Sequence, residues 1–473
     1  MGEGDSQKRI VIGLASIWAG GGHNALRDML AEELTQHQEF ECHSFTHSDS
    51  SYDWFNDNIF GKAPIFLNFL YKKTPGEYPG VSAIKLVKEC EEFLNKTKPD
   101  IVISTNFGVC SAFGFLKKTL KLTFQNIYAI PDYGRTGAAA FPNNRYFKPD
   151  YVIVFDIETK KGLVEDLKFP SNRIILSGSI ASRSFREIIK ESKKQSRDQL
   201  FKQINKELKV KWEIPANKNT YIICGGAGGV INKSFKLLKA FAQYNEENSE
   251  FQKENQFLII TGQNEKFRDK LNSLRKKKHW QNIYPLPWIS LNTYAKTMLV
   301  SNFPILITIA PATINQLLTA HCGPFVVYHY RTGPELENVA FIKKEGLGAE
   351  IKDPEVILHK IIKGFSVDER NEFLKIANEH LEIRKELIEE LPAVLKTIYN
   401  ANQNSVEETK QPLQLDYNKI SPKLLLSILI LLIPSSLIFA YAQYFKGKKK
   451  ITNNEYVKRA SELTGKFWPF KQD

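Results

Sequence analysis

Short apolar runs alternate with stretches whose apolar positions recur at helical spacing through most of the chain. The first run covers residues 10–16, and a helical face made of Ala25, Leu26, Met29, Leu30 and Leu34 follows a glycine-rich turn. Further runs at 100–105, 126–130, 151–155 and 174–177 read as buried strands with helical stretches between several of them. A second series begins at 221–224 and continues at 257–261, 283–286, 304–308 and 324–328. Strands separated by helices favour parallel, doubly wound sheets. The expected fold class is therefore α/β, with two Rossmann-like domains facing a cleft. Between the two series the composition turns toward Lys, Arg, Gln and Asn, which predicts an exposed helix and a linker.

This pattern predicts a first domain over 1–186, a basic linker over 187–218, a second domain over 219–366 and a helical region over 367–400, interrupted or ended near Pro392. A polar tether at 401–420, a membrane segment at 421–445 and a basic tail at 446–473 complete the division. The membrane expectation rests on the 22 uncharged residues from 424 to 445. As a helix they would reach about 33 Å, enough for a bilayer core. Four lysines, Lys446, Lys448, Lys449 and Lys450, follow at once. A single crossing with the folded domains in the cytosol puts those lysines outside, against the positive-inside tendency. Pro434, Ser435 and Ser436 permit a re-entrant alternative that returns both flanks to one face. The single-pass form is the simpler expectation.

Composition narrows the partners. With 42% hydrophobic and 25% charged residues in 473, the chain is neither wholly disordered nor a multi-span membrane protein. Its net charge of +13 points to an anionic partner. Nucleic acid is the weakest option, because the basic residues gather at the linker, at 275–278 and beside the membrane segment rather than interleaving with aromatics. An anionic membrane surface fits better. The aromatic-rich stretch 54–71, followed by Lys72 and Lys73, suits an interface or packing against the domain core. Five scattered cysteines form no metal-ligand or disulfide spacing, so no metal site is expected.

Chemistry concentrates at two glycine-rich turns. Gly20, Gly21 and Gly22 precede His23 at the start of a helix, where the backbone can approach a ligand and helix-end amides face it. Such a turn either binds a phosphate-bearing or hydroxyl-rich ligand or is a structural tight turn. His23 adds a base that can take a proton from a hydroxyl near neutral pH. Gly225, Gly226, Gly228 and Gly229 repeat the arrangement in the second domain. The second turn is neither a dinucleotide fingerprint nor a P-loop.

These turns, Asp132 after Ile130 and Pro131, residues 178–185, and residues 313–338 follow in order the motifs of glycosyltransferase family 28. The chain resembles its monogalactosyl- and monoglucosyldiacylglycerol synthase branch over about 10–391. The resemblance implies a GT-B fold whose first domain takes an acceptor lipid through Gly20, Gly21 and Gly22. It implies a second domain that holds a nucleotide-sugar, usually a UDP-sugar, with Gly225, Gly226, Gly228, Gly229, Thr313, Gln316, Glu335 and Asn338. It further implies inversion at the anomeric centre with no metal and no cofactor. His23 is the first candidate base. Asp132 either deprotonates or orients the acceptor, or caps a turn after Pro131.

The chain departs from the family at three places. Gln316 stands where an acid typically grips the ribose, Pro334 stands where a glutamine contacts the sugar, and the usual His and Trp are missing from 133–141. The expected function is an inverting hexosyltransfer from a UDP-sugar to a membrane lipid such as diacylglycerol on the cytosolic side. The alternatives are a catalytically silent scaffold that binds nucleotide-sugar or lipid at a membrane, and a nucleotide-sugar epimerase on the same fold, which would need neither a membrane anchor nor an interfacial aromatic stretch.

Overall fold

The computed structural model describes residues 8–17, 22–47, 83–135, 148–208, 213–225, 234–276, 280–330 and 334–403. The first half runs β1 (Ile10–Ile17), α1 (Gly22–Leu34), β2 (Phe40–His47), α2 (Ala83–Thr97), β3 (Ile101–Ser104), α3 (Phe107–Thr119), β4 (Gln125–Ala129), β5 (Tyr151–Val154), α4 (Ile157–Lys161) and β6 (Ile174–Leu176). After α5 (Arg183–Ser192) and α6 (Arg197–Leu208) come β7 (Asn219–Cys224), α7 (Phe235–Glu247), α8 (Ser249–Glu254), β8 (Asn255–Ile260), α9 (Glu265–Arg275), β9 (Ile283–Leu286) and α10 (Leu291–Leu299). The remainder is β10 (Phe303–Leu306), α11 (Pro311–Ala320), β11 (Phe325–Val327), α12 (Pro334–Lys344), β12 (Gly348–Glu350), α13 (Pro354–Lys363) and α14 (Val367–Gln403).

Two six-stranded sheets result, ordered β2-β1-β3-β4-β5-β6 and β12-β11-β10-β7-β8-β9, with every pairing parallel. The inner strands IVIS (β3) and FPIL (β10) are buried along their whole length, as strands covered on both faces require. In each sheet the order reverses beside the first strand, between β1 and β3 and between β7 and β10. Ligands of open α/β sheets bind outside the carboxyl ends at such points. This arrangement fits a GT-B two-domain α/β fold.

Two expectations change. The stretch read as an exposed helix and linker folds as α5 and α6, because its apolar residues recur at helical spacing. Phe185 and Ile189 enter the core shared with α1 and α11. Leu200, Phe201 and Ile204 pack on Leu258, Tyr284 and Leu286. Each such side chain stabilises the fold by about 1.5–3 kcal/mol when fully buried. Pro392 does not end the last helix: α14 continues through it to Gln403, with Pro392, Leu391 and Leu395 buried. Packing on that face offsets the helix bond that proline cannot donate.

The last helix crosses back to the first domain. Asn402 donates to the Thr123 carbonyl and accepts from Gln125. At Gly178 the approach is so close that a Cβ would overlap the Arg384 carbonyl. Among the described residues no helix is long and apolar enough to cross a membrane. The expected tether, membrane segment and tail, and the aromatic stretch 54–71, lie outside the described residues.

Candidate functional site

The two reversal points face each other. A Cβ placed on Gly22, the first residue of α1, would lie 3.9 Å from the Ala310 Cβ at the start of α11. One helix N-terminus from each domain therefore meets at one place, and both present the positive end of a helix dipole. Ala310 gives α11 no side-chain cap.

His23 is partly buried at the second position of α1. Its Nδ1 lies 2.6 Å from the carbonyl oxygen of Thr105, the residue just past β3. Because a carbonyl only accepts, Nδ1 carries the proton and donates, which leaves the Nε2 lone pair free of it. The Thr105 hydroxyl in turn donates to the His23 carbonyl at 2.9 Å. The start of α1 is pinned further by Ser16, which bonds Asn24 and accepts from Arg27 at 3.1 Å.

Asp132 follows β4 and acts electrostatically on His23. Burial lowers the His23 pKa below 6.5, and the Asp132 charge and the Thr105 carbonyl oppose that fall in part. Burial likewise raises the Asp132 carboxyl above the usual carboxylate range, against the pull of His23 and a hydrogen bond from Asn338. Each of the two groups thus favours the charged form of the other, against the burial that opposes it.

Of the other predicted residues, Gly22 begins α1 and Gly225 is buried just past β7. Gly20, Gly21, Gly226, Gly228 and Gly229 lie outside the described residues. Thr313 and Gln316 are partly exposed, one helical turn apart on α11, and Glu335 is partly exposed on α12. Asn338 is fully buried. Its Nδ2 donates to the Ile309 carbonyl at 2.9 Å and to Asp132 Oδ1 at 3.4 Å, and its Oδ1 accepts from the Tyr133 amide at 3.3 Å. Among the described residues no cluster of three or more His, Cys, Asp or Glu could hold a metal ion.

Sequence reasoning missed the polar network behind this edge. Tyr133, fully buried, donates from its hydroxyl to Asn315 Oδ1 at 3.1 Å. Arg384 of α14 donates to the same oxygen, to the Tyr133 hydroxyl at 2.9 Å and to the Ser179 carbonyl at 3.2 Å. Nothing in a helix rich in charged residues marks Arg384 as the one turned inward. Also unnoticed was Trp288, 54% exposed just past β9 on the carboxyl edge that carries Gly225 and the start of α11. An aromatic beside a proline in a strand-to-helix connection is the signal that could have found it.

No protein-family model matches the chain, and no curated protein does. Solved structures do. The chain is similar to the S. aureus MnaA–UDP co-structure, with 12% identity, a TM-score of 0.51, and 78% of this chain and 92% of that one covered. It is similar to UDP-GlcNAc 2-epimerase from Neisseria meningitidis bound to UDP-GlcNAc, with 11% identity, a TM-score of 0.50, and 78% and 94% covered. It is also similar to alpha,alpha-trehalose 6-phosphate synthase from Burkholderia multivorans, with 9% identity, a TM-score of 0.54, and 85% and 100% covered. At these identities the likeness is one of fold, and it extends over both domains.

Proposed function

We propose that the protein is an inverting glycosyltransferase that moves a hexose from a UDP-sugar to a hydroxyl of a membrane lipid such as diacylglycerol. The observation that carries this reading is the partly buried His23, set by Thr105 and Asp132 where two helix N-termini from opposite domains converge. Two of the similar structures hold UDP or UDP-GlcNAc, which supports a uridine nucleotide as the ligand of the same fold.

In this reading the second domain takes the donor. The exposed Trp288 offers a stacking face for the base, and the amides at the start of α11 receive the diphosphate. The acceptor hydroxyl approaches from the side of α1. Its oxygen bonds to the anomeric carbon on the face opposite the diphosphate, the carbon–oxygen bond to the diphosphate breaks, and the hydroxyl proton passes to His23 Nε2. Asp132 stabilises the imidazolium that forms, and the positive helix ends stabilise the charge on the departing UDP.

The lipid acceptor draws its support from the sequence: the uncharged segment at 424–445, the basic tail, and the aromatic stretch 54–71 followed by two lysines. We place the enzyme on the cytosolic face of a membrane, held there by that segment. The test uses the full chain in vesicles containing diacylglycerol, supplied in turn with labelled UDP-glucose and UDP-galactose. A lipid-linked product that is lost in His23→Ala is expected. No product with either donor, nor with other common nucleotide-sugars, would reject the reading.

A second reading, a silent nucleotide-sugar-binding scaffold at a membrane, is favoured by Gln316. It occupies a partly exposed position one turn from Thr313 without bringing a charge. Gln316→Glu discriminates. A large gain in turnover points to a chain that had lost activity, whereas a native chain that already turns over excludes the scaffold.

A further inference from the structure

We propose that Asn338, carried on the second domain, is a positioning residue that fixes the Asp132 carboxylate of the first domain against His23. This assignment rests on the reading of His23 as the base. It differs from the donor contact that the motif around Asn338 implies.

The geometry allows Asn338 one orientation. Its Nδ2 has two acceptors, the Ile309 carbonyl and Asp132 Oδ1, and its Oδ1 has one donor, the Tyr133 amide. Reversing the amide would set its oxygen against two acceptors and its nitrogen against a donor. With the side chain fully buried and its hydrogen bonds spent on protein, little of it remains for a sugar. Among the described residues the Asp132 carboxylate takes its hydrogen bond from Asn338 alone.

The neighbours hold this contact in place. Gly134 has a φ of +77°, and a Cβ there would meet Glu337 Oε2 at 2.6 Å, so α12 lies directly on the 132–134 turn. The Tyr133 ring stacks on Phe341 of α12 with centroids 4.6 Å apart, and its hydroxyl meets Asn315 and Arg384. Residues 132 to 134 are therefore gripped by the second domain on several sides. The hydrogen bond that orients Asp132 therefore exists only while the two domains are together.

The consequence for His23 has a definite sign. A hydrogen bond donated by Asn338 favours the ionised form of Asp132, and an ionised Asp132 favours protonated His23. The other charged groups around the turn are Asp156, Glu158 and Arg135 on the first domain, the last paired with Glu165 and Asp166, together with Glu337 on α12 and Arg384 on α14. All of these remain when Asn338 is changed.

The experiment follows the His23 imidazole by NMR in the full-length chain with labelled histidine, its signal identified by its loss in His23→Gln. In Asn338→Ala the His23 midpoint should fall by about half a pH unit or more. On an Asp132→Asn background the same change should cause no further fall, since the effect passes through the carboxylate. UDP affinity should stay within about twofold, and any transfer should lose kcat by about tenfold at constant donor KM. An unmoved His23 midpoint in a folded Asn338→Ala protein overturns the proposal, as does a shift that persists with Asp132→Asn. A tenfold loss of UDP affinity with His23 unmoved, roughly 1.4 kcal/mol, returns Asn338 to the donor site. Should Asn338→Ala fail to fold, Asn338→Ser is read the same way, because its hydroxyl reaches less far toward Asp132. A His23 that responds as stated, in a protein that transfers no sugar, supports the positioning role and removes the transferase reading.

Discussion

At His23, burial and partners act in opposite directions, and burial acts more strongly. The imidazole is therefore neutral through the physiological range, and the proposed transfer should rise with pH through a midpoint below 6.5 and then level off, as an initial-rate profile would measure. Stability carries the same signature. Between the lowered native pKa and the unfolded value of 6.5 the unfolded chain binds more protons, so His23 costs stability as pH falls below 6.5. His23→Gln should flatten that part of the acid loss in urea titrations, while lowering turnover by about 10²–10⁴-fold. Trp288 is the other single residue with a separable role. Its replacement by alanine should weaken UDP binding by about 1–3 kcal/mol with little effect on folding, because over half of the side chain is exposed. Calorimetry with UDP checks this. At this scale the sequence draws attention to a residue whose type is chemically conspicuous, as with the candidate His23 after three glycines. Thr105 is not such a residue, since it contributes a backbone carbonyl, which any residue possesses.

Elements were legible wherever a short apolar run stood alone. Ten of the twelve strands coincide with runs picked out by hydropathy. The two that do not, β2 and β12, are the ones whose sequences hide them. FECHSFTH has only three apolar residues and no continuous apolar run because β2 is a sheet edge with much of its surface in contact with water, and β12 is three residues long. The basic stretch after β6 misled for a related reason: lysines and arginines on the outer faces of α5 and α6 dominate the composition, while a few apolar residues fix the packing. Gly178 shows what such counting overlooks. It sits where α14 crosses back, and the space a Cβ needs is already filled by the Arg384 backbone. Gly178→Ala must move the helix, and we expect a loss of about 1–3 kcal/mol in urea unfolding. An unchanged midpoint would show that the crossing yields freely.

The whole molecule depends on contacts between elements far apart in sequence, and these left the faintest trace in it. Periodicity foretold two parallel sheets in two domains, yet gave no sign that α14 belongs to both domains. Its guanidinium at Arg384 is 5% exposed and has no carboxylate partner among the described ion pairs. It is held instead by neutral acceptors: the Tyr133 hydroxyl and Ser179 carbonyl of the first domain and Asn315 of the second. The rings of Tyr133 and Phe341 lie 5.2 and 5.4 Å from it. A buried cation solvated this way is worth keeping only if all its acceptors stay together, which makes their relative placement a condition of the fold. Arg384→Met keeps much of the apolar stem while removing the donor from the Tyr133 hydroxyl and the Ser179 carbonyl and leaving Asn315 Oδ1 with the Tyr133 hydroxyl alone, so a cost of about 1–3 kcal/mol is expected. The effect should exceed simple destabilisation. With the Arg384 bond to Tyr133 gone, one of several contacts that hold the 132–134 turn against the second domain is lost, and in solution scattering the protein should become more extended without UDP and contract when UDP is added. A variant that is less stable but has unaltered scattering in both states would mean that Arg384 holds the helix in place and leaves the angle between the domains to other contacts.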